Sequence, residues 1–479
     1  MIVGELRHGQ LTIIDRLKET VRLSEGLKTK GTLTEAARSR ALICLSRFGE
    51  RLRDVRASNV RTAGTSALRR ASDSGDFRKE AERALGHPID VISGIEEARL
   101  IYSGVTNSMP PTDGFRLVLD IGGGSTELIL GQGEKPRALE SLHMGCVLMT
   151  ERHFPGGRIN EKNMAEARLA ARLKLRPVKA FFRGATNLEA VGTSGTILSA
   201  EAVARRLGVI ESNDLTPSAV ETLIARMLEF DNIAALSLSG LSERRSQVWP
   251  GGLAILVELM EVLRIDHLKV SDGALREGLL YDHLGRLQHQ DARKRSVQAL
   301  ATRYNVDQAQ AARVAATAEL LLAQIGNTWG IESDLASLIL DWACRLHEIG
   351  LDISHNTFHK HGAYIAENAD LPGFPRSEQK LLSFLVSAQR SSIDKGRLSA
   401  LPAAWREKAL CLAVVLRLAV LLNRSRKALD LSGLIACANE QSLMLYFADG
   451  WLDDNPLTVA DLRREQPMLA AADIELGFE

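Results

Sequence analysis

Residues 117–131 read LVLDIGGGSTELILG: two apolar runs broken by three consecutive glycines, with Asp120 before them and Glu127 after. The segment following the glycines is β-branched and alternating, so the turn joins two strands. A dinucleotide-binding GxGxxG turn would open a helix instead, and a P-loop would place a lysine after the last glycine. A third reading fits: a hairpin whose backbone N–H groups converge on an anion, glycine allowing close approach and positive φ. Carboxylates beside a phosphate chain repel it unless a cation sits between. Asp120 and Glu127 are hard oxygen ligands of the kind Mg²⁺ takes alongside substrate phosphate. The plainer alternative is a tight hairpin with solvated acids at its edges.

Outward from this hairpin, three further segments bear on the same chemistry. AVGTSGTI (190–197) offers backbone at Gly192 and Gly195 and hydroxyls at Thr193, Ser194 and Thr196. The helix that follows it points a positive N-terminal end at the loop. SGIEEARLIYSGV (93–105) starts a helix with Glu96 and Glu97. Such acids ordinarily favour the helix dipole and nothing more, but a carboxylate facing a cleft could take a proton from water. Arg69, in GTSALR, follows another Gly-Thr turn and offers a fork of donors to phosphate.

The chain has 479 residues, too many for one core, and alternating strand and helix signals over its first part indicate α/β layers. MIVGEL and LTIIDRL flank a turn at RHGQ and read as a β-hairpin. From about residue 288 the pattern turns helical. In SDLASLILDWACRLHEIG the positions Leu335, Leu338, Ile339, Trp342, Leu346 and Ile349 form a stripe, with Ser333 as cap. The last fifty residues are β-like again. Sixty basic against 59 acidic residues argue against a general nucleic-acid binder. The five scattered cysteines indicate neither a disulfide framework nor a zinc site. No signal peptide is expected, and ALCLAVVLRLAVLL (409–422) is too short to span a bilayer, so a cytoplasmic protein without integral membrane contact is expected, peripheral association staying compatible.

SGIEEARLIYSGV, LDIGGGSTELILG, GTSGTI and SDGALREGLLYD, in this order and spacing, resemble the exopolyphosphatase/guanosine pentaphosphate phosphatase family, as do HMGC and LHEIGLDISH. The resemblance implies an actin-like (sugar kinase/Hsp70, ribonuclease H-like) two-lobe α/β fold, then an all-α HD-like domain and a small C-terminal α+β domain. The corresponding bounds are 1–116, 117–285, 286–425 and 426–479. It implies Glu97 as catalytic base, Asp120 and Glu127 as Mg²⁺ ligands, and Gly122, Gly123, Gly124, Ser125, Gly192, Thr193, Ser194, Gly195 and Thr196 as phosphate loops, with Arg69 facing phosphate. The implied enzyme is a homodimeric exopolyphosphatase, a phosphoanhydride hydrolase. The alternatives are a guanosine pentaphosphate 5′-phosphohydrolase and a non-catalytic regulator that binds polyphosphate or alarmone.

Two features depart from the family pattern. Members begin with a further strand and a DxGSNS-type loop ahead of MIVGEL, and here Met1 stands where that loop would end; a start codon placed too late is the favoured explanation. A working HD site needs a His-Asp couple, and this chain has His347-Glu348 beside His355, His359 and His361. A structural role for that domain is therefore expected.

Overall fold

The computed structural model describes the chain apart from residues 8–9, 20, 22, 24–25, 28–30, 72–73, 211–213 and 288–290. The opening hairpin pairs β1 (Ile2–Arg7) with β2 (Gln10–Arg16), its tip falling outside the described residues. β3 (Ala63–Gly64) and β4 (Asp90–Val91) are short and parallel. β5 (Phe115–Ile121), β6 (Thr126–Gln132), β7 (Lys135–Leu142), β8 (Leu188–Thr193) and β9 (Leu268–Val270) form one sheet in the order β7-β6-β5-β8-β9. An antiparallel meander followed by two parallel strands reached through helices is the ribonuclease H-like plan of the actin-like fold. The first lobe shows an antiparallel pair and a parallel pair of the same kind. Among the described residues no strand joins the two pairs, the place that β5 fills in the second lobe.

β5 and β6 read as nearly continuous apolar runs because both faces of the sheet are covered. Leu117, Leu119, Ile121 and Leu128 face a core shared with the apolar helix Trp249–Leu263. The alternate residues Val118 and Ile129, with Val191 of β8, pack under Ala98, Ile101, Tyr102 and Val105 of the helix Gly94–Ser108. A Cβ on Gly131 would overlap the Tyr102 ring, so the glycine in β6 lets that ring lie flat on the sheet. Gly104 of this helix and Gly278 of the helix Leu275–Leu287 bring the two backbones into contact, since a Cβ on Gly104 would overlap the carbonyl of Ala274, just ahead of the second helix, and one on Gly278 the carbonyl of Leu100.

Residues 1–291 and 292–479 form two compact units. In the second, β10 (Ile435–Ala438), β11 (Ser442–Tyr446) and β12 (Glu475–Phe478) make a small mixed sheet. Its Leu443, Leu445 and Leu476 share one core with Trp342, Phe374, Leu385 and Leu416 of the helices. Ser333 caps the helix Asp334–Leu346, its Oγ accepting from Ala336 N. Ile339, Trp342, Leu346 and Ile349 are buried as the stripe predicts; Leu338, one position to the side, is 38% exposed. The run at 409–422 belongs to the buried helix Ala403–Leu422, where Arg417 is accommodated by Glu465 and by the carbonyls of Ala388 and Ser391. Among the described residues no helix is long and apolar enough to cross a membrane.

In the HD-like region, His347 is buried with Nδ1 2.6 Å from Cys344 O, and Glu348 is engaged by Arg426. His361 meets Thr357 Oγ1.

Candidate active site

Cross-strand pairing decides where the two hairpin acids point. Asp120 and Glu127 are direct partners across β5 and β6, so both side chains leave the same face of the sheet. It is the face carrying Val118 and Ile129, the one covered by the helix Gly94–Ser108. A one-residue slip of β6 on β5 would turn Glu127 into the opposite apolar core and away from Asp120. The covering helix begins at this same end of the sheet. Gly94 abuts Ser141 of β7, where a Cβ would lie 2.6 Å from the serine Cβ. Ser93 caps the helix, its Oγ accepting from Glu96 N at 3.1 Å, and Glu97 is thereby set beside the hairpin acids.

Glu97 is 8% exposed, Asp120 9% and Glu127 1%. Burial, then the neighbouring Glu97, pushes Asp120 up to about 7. Burial, Glu97 and Asp120 raise Glu127 well above the carboxylate range, against hydroxyls from Ser141 and Ser125. Burial also raises Glu97, opposed by Arg69, whose Nη1 donates to Glu97 Oε2 at 2.9 Å and to Ile92 O at 2.9 Å. The sequence pattern assigns Arg69 to phosphate; here its guanidinium holds the carboxylate of Glu97. Three acids sharing one arginine require protons or a further cation to balance them. All donors are hard oxygens, which suits Mg²⁺. Among the described residues no three His, Cys, Asp or Glu groups could enclose a metal ion by themselves. Such an ion on Asp120 and Glu127 would complete its shell with water and phosphate oxygen.

The triglycine turn corrects one expectation. None of Gly122, Gly123 and Gly124 adopts positive φ. Gly122 N donates to Ser125 O at 2.9 Å and closes the turn without it. Crowding acts instead at Gly124, where a Cβ would lie 2.7 Å from Ser66 Oγ, and at Gly145, where one would overlap the Gly123 carbonyl. The Gly122 and Gly123 carbonyls accept from Cys146 N (2.9 Å) and Val147 N (3.1 Å), at the start of the helix Cys146–His153. With the carbonyls so committed, the amides of Gly123, Gly124 and Ser125 donate to nothing among the described residues.

At the second loop Ser194 takes a positive φ of 91°, a strained value for a residue with a side chain. The Ser194 and Thr196 hydroxyls are buried without a partner. Thr193 differs, because its Oγ1 donates to Gly273 O at 2.9 Å and ties the loop to the next turn. The Arg245 guanidinium lies directly on Gly195, where any Cβ would overlap it. Burial, then the charges of Arg276, Arg245 and Arg244, lowers the Lys18 ammonium, with Asp272 opposing. Lys18 thus feels arginines from two other segments, and no local pattern in the sequence signals it.

Glu96 and Glu97, indistinguishable in sequence, have different surroundings. Arg99 grips Glu96 through Nε (2.7 Å) and Nη2 (2.8 Å), and Nη2 also donates to Asp282 in the helix Leu275–Leu287. Burial alone would raise Asp282; Arg99, Arg286 and Arg61 instead hold it at about 2. Glu96 thus anchors the first helical turn and leaves Glu97 facing the acids. In Glu96→Gln, kcat is expected to fall by about tenfold with KM unchanged, as Glu97 loses its fixed position. Steady-state kinetics beside Glu97→Gln checks this, since equal losses in the two variants would contradict the division of roles.

A model of the Ppx/GppA phosphatase family matches residues 2–287, and one of domain III of that family matches residues 292–466. The chain belongs to the Ppx/GppA phosphatase family. Its relatives include proteins named guanosine-5′-triphosphate,3′-diphosphate pyrophosphatase. That of Aeromonas hydrophila is 38% identical over 97% of this chain and 93% of its own length, and that of Vibrio cholerae is 38% identical over the same shares. The Ppx/GppA enzyme of Aquifex aeolicus is similar in structure at 27% identity, with a TM-score of 0.50 over 58% of this chain and 93% of that one. An exopolyphosphatase from Cytophaga hutchinsonii, 24% identical with a TM-score of 0.54 over 59% of this chain and 93% of its own, shows the same fold. As a Ppx/GppA phosphatase the protein is a hydrolase of phosphoanhydride bonds.

Proposed function

We propose that this Ppx/GppA phosphatase removes the terminal phosphate from a substrate ending in a phosphate chain, guanosine pentaphosphate being preferred. The observation that carries the chemistry is the meeting of Glu97, Asp120 and Glu127 beside two loops with unpartnered amides and hydroxyls. Amides of Gly123 to Ser125 and hydroxyls of Ser194 and Thr196 receive phosphate oxygens, and Arg245 adds a charge at the second loop. Asp120 and Glu127 would hold Mg²⁺, which would supply neutralisation of charge on the transferred phosphoryl group. Glu97, raised by burial and oriented by Arg69, accepts the proton of the attacking water. The burial that raises its pKa makes its carboxylate a better base near neutral pH.

The nucleotide preference is supported by the names of relatives that match nearly the whole chain. The charges of Arg244, Arg245 and Arg276 felt at Lys18 favour a second reading, inorganic polyphosphate, because a bare phosphate chain is met by positive charge alone and needs no base. Competing the two substrates in one Mg²⁺-containing assay separates these readings. Guanosine pentaphosphate is expected to be consumed first, and preferential release of phosphate from polyphosphate would reverse the assignment.

A further inference from the structure

We infer that Arg70, the residue after the arginine singled out by the sequence pattern, binds phosphate at the triglycine hairpin. Arg69 and Arg70 are the last residues of the short helix Ser66–Arg70, and their side chains diverge. Arg69 is committed to Glu97 and to the Ile92 carbonyl. Arg70 makes no ion pair or hydrogen bond among the described residues, and its Nη1 is shut off from solvent without an acceptor. A buried guanidinium donor left unmet is rare in native interiors and points to a group that arrives from outside.

The place of that donor identifies the group. A Cβ on Gly124 would lie 3.5 Å from Arg70 Nη1 and 2.7 Å from Ser66 Oγ, so guanidinium and hydroxyl both adjoin the hairpin. There the amides of Gly123, Gly124 and Ser125 are also without partners. Arg69 stands among the influences that set the acidity of Glu97, while Arg70 is not among those at Glu97 or Asp120; its charge is felt at His143. Arg70 is therefore not there to neutralise those carboxylates. Three amides, a hydroxyl and one arm of a guanidinium fork form a donor set for a tetrahedral oxyanion, and the class of ligand is a phosphate group of the bound chain.

This inference rests on the reading that the hairpin holds phosphate, and the test separates the two. Pyrophosphate binding in Mg²⁺ is measured by calorimetry on the full chain, for wild type, Arg70→Gln and Arg70→Lys, each checked by thermal melting. Wild type is expected to bind, Arg70→Gln about tenfold or more weakly, and Arg70→Lys in between, since a point charge replaces only part of the fork. In turnover, Arg70→Gln is expected to raise KM with kcat within about threefold, a split that a purely structural role would not give. Unchanged pyrophosphate affinity in a folded Arg70→Gln or Arg70→Lys protein overturns the role of Arg70 alone. A wild type that binds no pyrophosphate overturns the phosphate-loop reading, and this inference with it.

Discussion

In Glu97→Gln, kcat is expected to fall by about a thousandfold while KM stays within a few-fold of wild type. The amide keeps the shape of the carboxylate and can still meet Arg69, so substrate binding through the glycine loops survives. What disappears is the acceptor for the water proton. The same change removes one of three mutually repelling charges, because Glu97 is among the groups that raise both Asp120 and Glu127. The metal-free variant should therefore be more stable than wild type near neutral pH while being nearly inactive, as expected where function is built on stored repulsion. Melting temperature and kcat measured on one preparation check both halves. A variant that loses activity and stability together would assign Glu97 to the scaffold.

The second large effect belongs to Asp120. Its folded pKa of about 7 stands above the ordinary 3.8, so between those values the folded protein keeps a proton that the unfolded chain has released. Stability carried by this group is then present at low pH and lost as pH rises from about 4 toward 7, by up to about 4 kcal/mol for the metal-free protein. This is the reverse of the usual carboxylate behaviour. A divalent cation on Asp120 and Glu127 takes the place of the protons, so Mg²⁺ is expected to raise the melting temperature above pH 7 and to have little effect at pH 5. Asp120→Asn should flatten the pH dependence, abolish most of the Mg²⁺ stabilisation and lower kcat by about a thousandfold. Melting curves from pH 5 to 8, with and without Mg²⁺, test this. A wild type whose stability rises steadily with pH in the absence of metal would contradict it.

The hairpin was legible because its chemistry is local: two apolar runs broken at the glycines placed β5 and β6, and that pairing alone puts Asp120 opposite Glu127. The helix Gly94–Ser108 was legible for the same reason, Glu96 and Glu97 lying in the first turn where the helix dipole favours acids. Conformation inside the turn was not. Three glycines suggested positive φ, whereas none adopts it, and the space at Gly124 is limited by Ser66, contributed from elsewhere in the chain. Side-chain partners were equally hidden. Nothing in GTSALRR tells which arginine meets Glu97, and nothing in EEA tells that Arg99 and Asp282 draw Glu96 away. The stacking of Arg245 on Gly195 joins segments fifty residues apart. Pairwise contacts of this kind leave no periodicity for a sequence pattern to show.

The most direct test of the account is the structure of the protein with Mg²⁺ and imidodiphosphate, a non-hydrolysable phosphate pair. The metal is expected on Asp120 and Glu127, with phosphate oxygens at the amides of Gly123 to Ser125 and at the Ser194 and Thr196 hydroxyls, and a water between Glu97 and the terminal phosphorus. Metal and anion bound away from the hairpin, with those amides still unpartnered, would contradict it.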